Sequence, residues 1–399
     1  MVQCLDRSNV PVSIFRNHLI QDKKFKTHNS STVNLTASKS STTSKFYSKL
    51  DDDRPEYSSD ALDIDFAWTS TAEPVSDILV NSTRKPTTKG LQIFGKERKY
   101  TRRLDVSSRN LRTLNLFDHH DLEYLNCKNN HIKTLSILET CIHLTTINLS
   151  KNQIEALIPL NDIPMRKLDL SFNSIEGVVD FATLVNTADT DVGWASLEHL
   201  DLTGNKIRAI RNLNCLVNLR SLILDQNFIE ELEDISFMTN LQEISLRENK
   251  LRSRFDIRRL PMQSLRILRI DACKGLKKWH VRPAHMEVLE IIDGIETDLP
   301  RFDLFPINLK FLKLAWISGL DKLPLNLCDI IPGLEELILT DNDLDDLRNI
   351  LQAIPTTNLK RIDLAGNPLT KHLSPCATEK YKYAFHIACR KITDIRLQE

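Results

Sequence analysis

The chain has 399 residues, of which 41% are hydrophobic and 27% charged, and its 53 basic residues balance its 53 acidic residues. A formal net charge of zero excludes a global electrostatic attraction to nucleic acid or to an acidic membrane surface. No apolar run approaches the roughly 18–20 residues that cross a bilayer, and the N-terminus lacks the pattern of a secretory signal. The eight cysteines are scattered without a Cys-x-x-Cys pair, which favours reduced thiols in the cytoplasm or nucleus.

Residues 1–90 are predicted to form a disordered tail. Between Thr27 and Ser48, 12 of 22 residues are Ser or Thr, and such a composition cannot bury enough apolar surface to offset the entropy of ordering. Phosphorylation of this stretch would create docking sites for partners. The candidate phosphoacceptors are Ser30, Ser31, Thr32, Ser40, Ser41, Thr42, Thr43 and Ser44.

Charge in the tail comes in blocks. Residues 51–77 hold nine acids against one Arg, and residues 84–103 hold eight basic residues against one Glu. Two apolar islands, residues 62–68 and 91–94, interrupt these blocks. Islands of this kind often serve as binding motifs in disordered tails. For the second island we favour another role, in which Ile93 and Phe94 cap the first strand of the repeat region that follows.

From Arg103 the chain becomes periodic, with the skeleton L-x-x-L-x-L-x-x-N recurring mostly every 21 to 25 residues. The asparagine-type positions are Arg109, Asn130, Asn152, Asn173, Asn205, Asn227, Asn249, Cys273, Gly294, Ile317, Asn342 and Asn367. An insertion at residues 186–193 lengthens one interval. The pattern predicts an α/β fold over residues 91–370: a leucine-rich repeat solenoid of about 12 repeats preceded by a cap strand. Its curved parallel sheet would form the concave face, with short helices, 3-10 turns and loops on the convex face.

The residue types of each repeat follow from its chemistry. In residues 148–157, NLSKNQIEAL, the aliphatic side chains at Leu149 and Ile154 are expected to point inward. Asn152 lies at the turn, where its amide can donate to and accept from backbone groups that the turn leaves unpaired. No single repeat buries its apolar face alone, so stability must come from the stacking of neighbours.

After Asn367 the repeat pattern stops and apolar residues follow helical spacing. Those residues are Ala377, Tyr381, Ala384, Phe385, Ala388 and Ile392, with Lys380, Lys382 and Arg390 away from that face. Residues 371–399 are therefore predicted to be a helical cap, because an open solenoid end would expose its core.

The repeats resemble the 22-residue class of leucine-rich repeats found in the regulatory subunit of type-1 protein phosphatase. Residues 204–232 carry the repeat part of this resemblance, and residues 367–395 resemble the C-terminal cap of that class. In those regulators the concave face binds the partner, and the resemblance implies the same surface here. The Ser/Thr-rich, block-charged tail is a departure, because the regulators are nearly all repeat. In its architecture the chain is more similar to fungal spindle-pole-body scaffolds of mitotic exit and septation signalling and to their animal relative centriolin.

The outward positions of the strands form the candidate binding surface. In the first five repeats the middle outward position is Asp or Asn, as expected of a ladder that faces water: Asp105, Asn126, Asn148, Asp169 and Asp201. From the sixth repeat onward, apolar side chains accompanied by cations enter the outward positions. The predicted partner-binding residues are Ile223, Ile267, Arg269, Val288, Ile292, Phe311, Lys313, Trp316 and Ile338. A contiguous apolar patch rimmed by charge is typical of a protein-binding site, here for a helix or an extended segment.

Two alternatives accompany this surface. A one-residue error of register in the irregular repeats would turn Phe311 and Trp316 into core residues. The acidic ladder, to which Glu198 and Asp225 are close, either takes a basic partner segment or is simply a solvated face.

The sequence contains no phosphate-binding loop, no dinucleotide fingerprint, no H-E-x-x-H and no G-x-S-x-G motif. The pair His119-His120 between two aspartates is a weak metal signal, because adjacent side chains of an extended segment point apart. We therefore expect a binding module with no cofactor, no small-molecule substrate and no membrane partner, rather than an enzyme. Its predicted function is that of a protein-binding scaffold at the spindle pole, and the alternative is a phosphatase regulatory subunit. Nucleic-acid binding through residues 84–103 ranks last, because that run lacks a base-stacking platform.

Overall fold

The structure, a computed structural model, describes residues 91–92, 102–116, 119–185, 192–251, 259–271, 283, 285–292, 302–354 and 358–398. The predicted tail of residues 1–90 and all its candidate phosphoacceptors lie outside the described residues. Ile93, Phe94, Cys273 and Gly294 also lie outside them.

One parallel sheet of 13 strands organises the fold, with each strand paired to the strands of the preceding and following repeats. Its strands in chain order are β1 (Arg103–Asp105), β2 (Tyr124–Asn126), β3 (Thr146–Asn148), β4 (Lys167–Asp169), β5 (His199–Asp201), β6 (Ser221–Ile223), β7 (Glu243–Leu246), β8 (Ile267–Asp271), β9 (Val288–Ile292), β10 (Phe311–Ala315), β11 (Glu336–Ile338), β12 (Arg361–Asp363) and β13 (Asp394–Arg396). This sheet confirms the predicted α/β solenoid of leucine-rich repeats.

The opposite side of the solenoid carries short and varied elements. These are 3-10 turns at Leu135–Leu138, Phe181–Thr183, Gly193–Ser196, Leu213–Cys215, Phe302–Leu304 and Pro368–Thr370, helices α1 (Leu327–Ile330) and α2 (Leu347–Ala353), and a three-stranded sheet of Glu176–Asp180, Lys206–Arg211 and Glu231–Leu232. Strands stack only ~4.8 Å apart, whereas turns and helices are wider, so the 13-stranded sheet lies on the concave side.

Alternation along each strand separates the core from the concave surface, as predicted. In the sixth repeat Leu222 and Leu224 are fully buried, whereas Ile223 between them is half-buried on the other face. A buried Leu or Ile is worth roughly 1.5–3 kcal/mol, and the same inward positions of every described repeat contribute to one continuous apolar core.

The asparagine positions join each repeat to the one before it. The Asn152 Oδ1 accepts the Ile132 N–H (3.0 Å), and its amide donates to the Cys127 and Leu149 carbonyls (both 3.0 Å). Since such a buried amide satisfies backbone groups on both repeats, it explains the recurrence of asparagine. In the tenth repeat the position belongs to Ile317, which is buried and offers no amide; its own N–H donates to the Asn342 Oδ1 (2.8 Å).

The lengthened interval after β4 contributes core of its own. Trp194 is buried, packs edge-on against Phe181 with ring centroids 5.7 Å apart, and donates its indole N–H to the Ile158 carbonyl (2.8 Å). The described part of this interval therefore contains a packed turn, Gly193–Ser196, before β5.

The two ends of the described solenoid carry different elements. Helix α3 (Pro375–Ala388) covers the last repeat with Phe385, which is fully buried, and it is followed by β13, a strand that was not predicted. At the other end, Leu91–Gln92 forms a short parallel pair with Leu114–Asn115 of the first repeat. The residues predicted to cap the first strand, Ile93 and Phe94, lie outside the described residues.

Candidate protein-binding surface

The strand register arranges the outward side chains of β6–β11 in rows that run across the sheet. The first row is Ser221, Glu243, Ile267, Val288, Phe311 and Glu336, and the middle row is Ile223, Ser245, Arg269, Glu290, Lys313 and Ile338. Beyond the middle row, Asp271, Ile292 and Ala315 are also in register. Eight of the nine predicted residues thus lie in register on one face, and the ninth, Trp316, directly follows the end of β10.

Three of the predicted apolar side chains are covered and not exposed. Ile267, Val288 and Phe311 lie on adjacent strands on the sheet face away from the core, yet only 5–6% of each residue is accessible. Neighbouring strands bring equivalent positions within ~5 Å of one another, so these three side chains lie side by side. The expectation that they form an open apolar patch is therefore wrong.

The alternative register, which would place Phe311 and Trp316 in the core, is also not observed. In β10 the inward side chains are Leu312 and Leu314, both fully buried. Trp316 follows the strand and is 57% exposed. The apolar groups that remain accessible on the face are the half-buried Ile223, Ile292 and Ile338 and this tryptophan.

Charged residues of the same face form a cluster that the sequence analysis did not assemble. This ion-pair cluster consists of three carboxylates and three cations: Asp225, Glu243, Glu290, Arg247, Arg269 and Lys313. Glu290 is central, with Lys313 Nζ at 3.0 Å, Arg269 Nε at 3.4 Å and Arg247 Nη1 at 3.5 Å from its carboxylate. The available signal was the alternating charge of Arg269, Glu290 and Lys313 at equivalent positions of consecutive repeats.

The outer carboxylates of the cluster are held as firmly as the central one. Glu243 lies 2.8 Å from Arg269 and accepts the Ser221 hydroxyl (2.7 Å). Asp225 likewise lies 2.8 Å from Arg247 Nη2 and accepts the Ser245 hydroxyl (2.5 Å). Because the carboxylates are buried beneath cations that stay partly accessible, the cluster is a neutral, preorganised floor on the concave face.

The electrostatics differ between the centre of this floor and its edge. Burial acts to raise the pKa of Glu290, but the charges of Lys313 and Arg247 outweigh it and hold that pKa below its ordinary value. At the edge, burial raises the pKa of Asp271 to about 7, and one of its carboxylate oxygens is buried without a hydrogen-bond partner among the described residues. Glu290 is thus ionised at neutral pH, whereas Asp271 is close to its titration point.

Trp316 has an unusual backbone for a bulky residue. Its φ is +59°, in the left-handed region, and its N–H donates to the Thr340 carbonyl (3.3 Å). Gln226 and Glu248 adopt the same left-handed conformation one residue before the asparagine of their repeats. The turn therefore requires this conformation, and it leaves the indole projecting into solvent at the edge of the face.

The Asp and Asn ladder of the first five repeats has a structural role. Each of these side chains accepts the backbone N–H two residues later, as Asp169 does from Ser171 (2.9 Å) and Asp201 from Thr203 (2.8 Å). Burial, with the neighbouring charges of Asp169 and Asp225, raises the pKa of Asp201 to about 6, although the bonds from Thr203 act against it. Asp169 is buried, so the ladder is not a freely solvated acidic face.

The described part of the chain contains no group of three or more His, Cys, Asp or Glu side chains arranged to hold a metal ion. None of its helices is long and apolar enough to span a membrane.

Comparison with known families agrees with this geometry. The family described as Leucine Rich repeats (2 copies) matches residues 120–162, and the family described as Leucine Rich repeat matches residues 195–209. Among solved structures, the chain is similar to a chain of the octameric complex of latrophilin 3, Unc5D and FLRT2, in which FLRT2 is the leucine-rich repeat protein. The two chains are 18% identical with a TM-score of 0.52, and the match covers 74% of this chain and 90% of that chain. The fold is a leucine-rich repeat solenoid.

Two other similar proteins match different shares of their own length. The internalin inlF of Listeria monocytogenes is 20% identical with a TM-score of 0.47, covering 74% of this chain and 86% of that chain. Among curated proteins, NUD1 of Saccharomyces cerevisiae is 36% identical over 266 residues, which are 63% of this chain and 31% of NUD1. The chain therefore spans about a third of the length of this curated relative.

Proposed function

We propose that the chain is a non-enzymatic scaffold that binds a protein partner on the concave face of β6–β11. We further propose that it acts at the spindle pole, in the class of scaffolds that serve mitotic exit signalling. Its predicted location is accordingly the cytoskeleton of the cytoplasm or nucleus.

Partner binding on the concave face is supported by an ordered polar floor that has accessible apolar groups around it. Ile223 and Ile338 lie at the two ends of the middle row, with the ion-pair cluster between them and Trp316 at the edge. A preorganised floor costs little to order upon binding, and a tryptophan beside partly buried aliphatic groups is the composition of interface anchors.

The similarity to NUD1 supports the second part, together with the resemblance of the whole architecture to fungal spindle-pole scaffolds. Because the aligned region is only 31% of NUD1, the activity of that whole protein comes to this chain only as a proposal. The alternative of a phosphatase regulatory subunit gains no support from this relative.

The test uses the double variant Ile223→Asp, Ile338→Asp in the full chain. Both side chains face away from the core, so we expect the partner to be lost while the melting temperature is retained. A matched control is Val217→Asp, which places the same charge at an exposed apolar position on the loop before β6.

Affinity purification followed by mass spectrometry would compare the wild type with both variants. Spindle-pole components that are retained by the control and lost by the double variant would support the proposal. A phosphatase catalytic subunit that is retained by the control and lost by the double variant would establish the alternative instead. Retention of every partner by the double variant would refute the concave face as the binding surface.

A further inference from the structure

The outer face of helix α3 combines exposed apolar side chains with uncompensated positive charge. Tyr383 and Ile387 are 69% and 65% exposed, more than the other large apolar residues of the described chain. They are four residues apart, so they lie on the same face of the helix, one turn from each other. Phe385 lies on the opposite face and buries its ring in the solenoid, so the outer face is not needed to hold the helix in place.

The charge around this pair is strongly one-sided. Residues 371–396 contain six Lys or Arg against two acids, although the whole chain is neutral. Both acids are already paired, Glu379 with Lys382 (3.2 Å) and Asp394 with Arg361 (3.2 Å). Exposed cations remain at Lys380, one turn before Tyr383, and at Arg390, just beyond the helix end.

A purely structural role explains only part of this arrangement. Cations near a helix C-terminus stabilise the helix dipole, which accounts for Arg390. The same effect does not account for Lys380, which is in the middle of the helix. It also does not explain why Tyr383 and Ile387 are exposed to solvent between Lys380 and Arg390.

We propose that this outer face of α3 is a second docking surface, for an acidic amphipathic segment of a partner protein. Apolar side chains of the segment cover Tyr383 and Ile387, and its carboxylates pair with Lys380 and Arg390. Charge complementarity selects this occupant. The same face of a second copy of the chain would set like charges against each other. An anionic lipid surface would meet only two large apolar side chains, because the apolar stripe of the helix is already packed on the solenoid.

This surface is independent of the proposed concave site. Its residues belong to α3, whereas the concave residues belong to β6–β11 and the turn after β10. A scaffold with both surfaces would hold two partners at once, and loss of one site would leave the other intact.

The test measures the binding of a synthetic probe to the full chain by fluorescence anisotropy. The probe is a labelled helical peptide with Leu and Phe along one face and Glu on the others, and its counterpart has Lys in place of each Glu. Two variants alter the site: Tyr383→Ala with Ile387→Ala, and Lys380→Glu. The controls are Phe237→Ala, which removes an aromatic ring of similar exposure from a loop before β7, and the concave double variant. Circular dichroism confirms that each variant retains its fold.

We expect the acidic peptide to bind the wild type, more weakly at high salt, and each α3 variant to lose about tenfold in affinity, as for an interface anchor. Phe237→Ala and the concave variant should bind the peptide like the wild type. The proposal is overturned if the acidic peptide does not bind, if its Lys counterpart binds equally well, or if the α3 variants bind unchanged. Sedimentation with phosphatidylserine vesicles in the absence of peptide binding would also overturn it and indicate a lipid surface.

Discussion

Replacement of Glu290 by Gln tests whether the ion-pair cluster stabilises the solenoid. The substitution preserves the shape of the side chain and removes its charge. It leaves Lys313, Arg269 and Arg247 facing one neutral amide instead of the carboxylate that now lies 3.0 to 3.5 Å from them. The cluster would change from neutral to a net positive charge in the middle of the concave face.

The size of the effect follows from burial. The Glu290 side chain is only 6% exposed, and removal of one partner from a buried ion pair costs about 3–5 kcal/mol. Arg247 and Arg269 remain partly accessible and still have Asp225 and Glu243, so part of this cost is recovered by solvation. We therefore expect the free energy of unfolding to fall by about 2–3 kcal/mol at neutral pH.

Urea unfolding followed by circular dichroism would measure the loss, with Glu335→Gln as the matched control. Glu335 pairs with Lys360 at 2.5 Å, but both side chains are much more accessible, so this change should cost less than about 1 kcal/mol. Since the pKa of Glu290 is lowered in the folded state, its contribution is present above the ordinary value of about 4.3 and is lost as the pH falls through the folded pKa. The curves of wild type and variant should therefore converge in acid. Equal losses for the two variants at neutral pH would refute the role assigned to the cluster.

Three further predictions concern the repeats themselves. Asn227→Leu leaves the Ile207 N–H unpaired inside the solenoid, whereas the Leu202 and Leu224 carbonyls each keep the amide of a neighbouring asparagine. Thermal unfolding should therefore show a loss of about 1–3 kcal/mol, and an unchanged stability would mean that water replaces the amide. Asp201→Asn preserves the bond from Thr203 and removes a carboxylate whose pKa is raised to about 6. The substitution should therefore raise the free energy of unfolding by about 1–2 kcal/mol at about pH 8 and leave it unchanged below about pH 4. Urea unfolding at both pH values would measure this, and an equal effect at the two values would contradict the prediction. Gly204→Ala adds a Cβ to a residue whose φ is +67° and places that Cβ 2.6 Å from the Phe172 ring. The free energy of unfolding should fall by about 1–2 kcal/mol in urea unfolding. An unchanged midpoint would show that the turn can relax.

Exposure was the property that sequence reasoning predicted least well. Alternation placed Ile267, Val288 and Phe311 correctly on the face away from the core, but it could not show that only 5–6% of each residue is accessible. Accessibility depends on neighbours about 22 residues away along the chain, and their side-chain lengths and directions are set by the stacked strands. The ion-pair cluster escaped prediction for the same reason, since its members come from five consecutive repeats.

The sequence by itself determined the solenoid, the inward and outward positions of the strands in the regular repeats and the role of the asparagines. These follow from a short period and from backbone groups that every turn leaves unpaired, so each repeat carries its own signal. Only the tertiary structure decided that Ile223 is half-buried at one end of a charged floor, that Trp316 projects from a left-handed turn, and that β13 follows the cap helix. Such features depend on contacts between separate repeats, and the sequence of one repeat does not show which side chains of its neighbours it contacts.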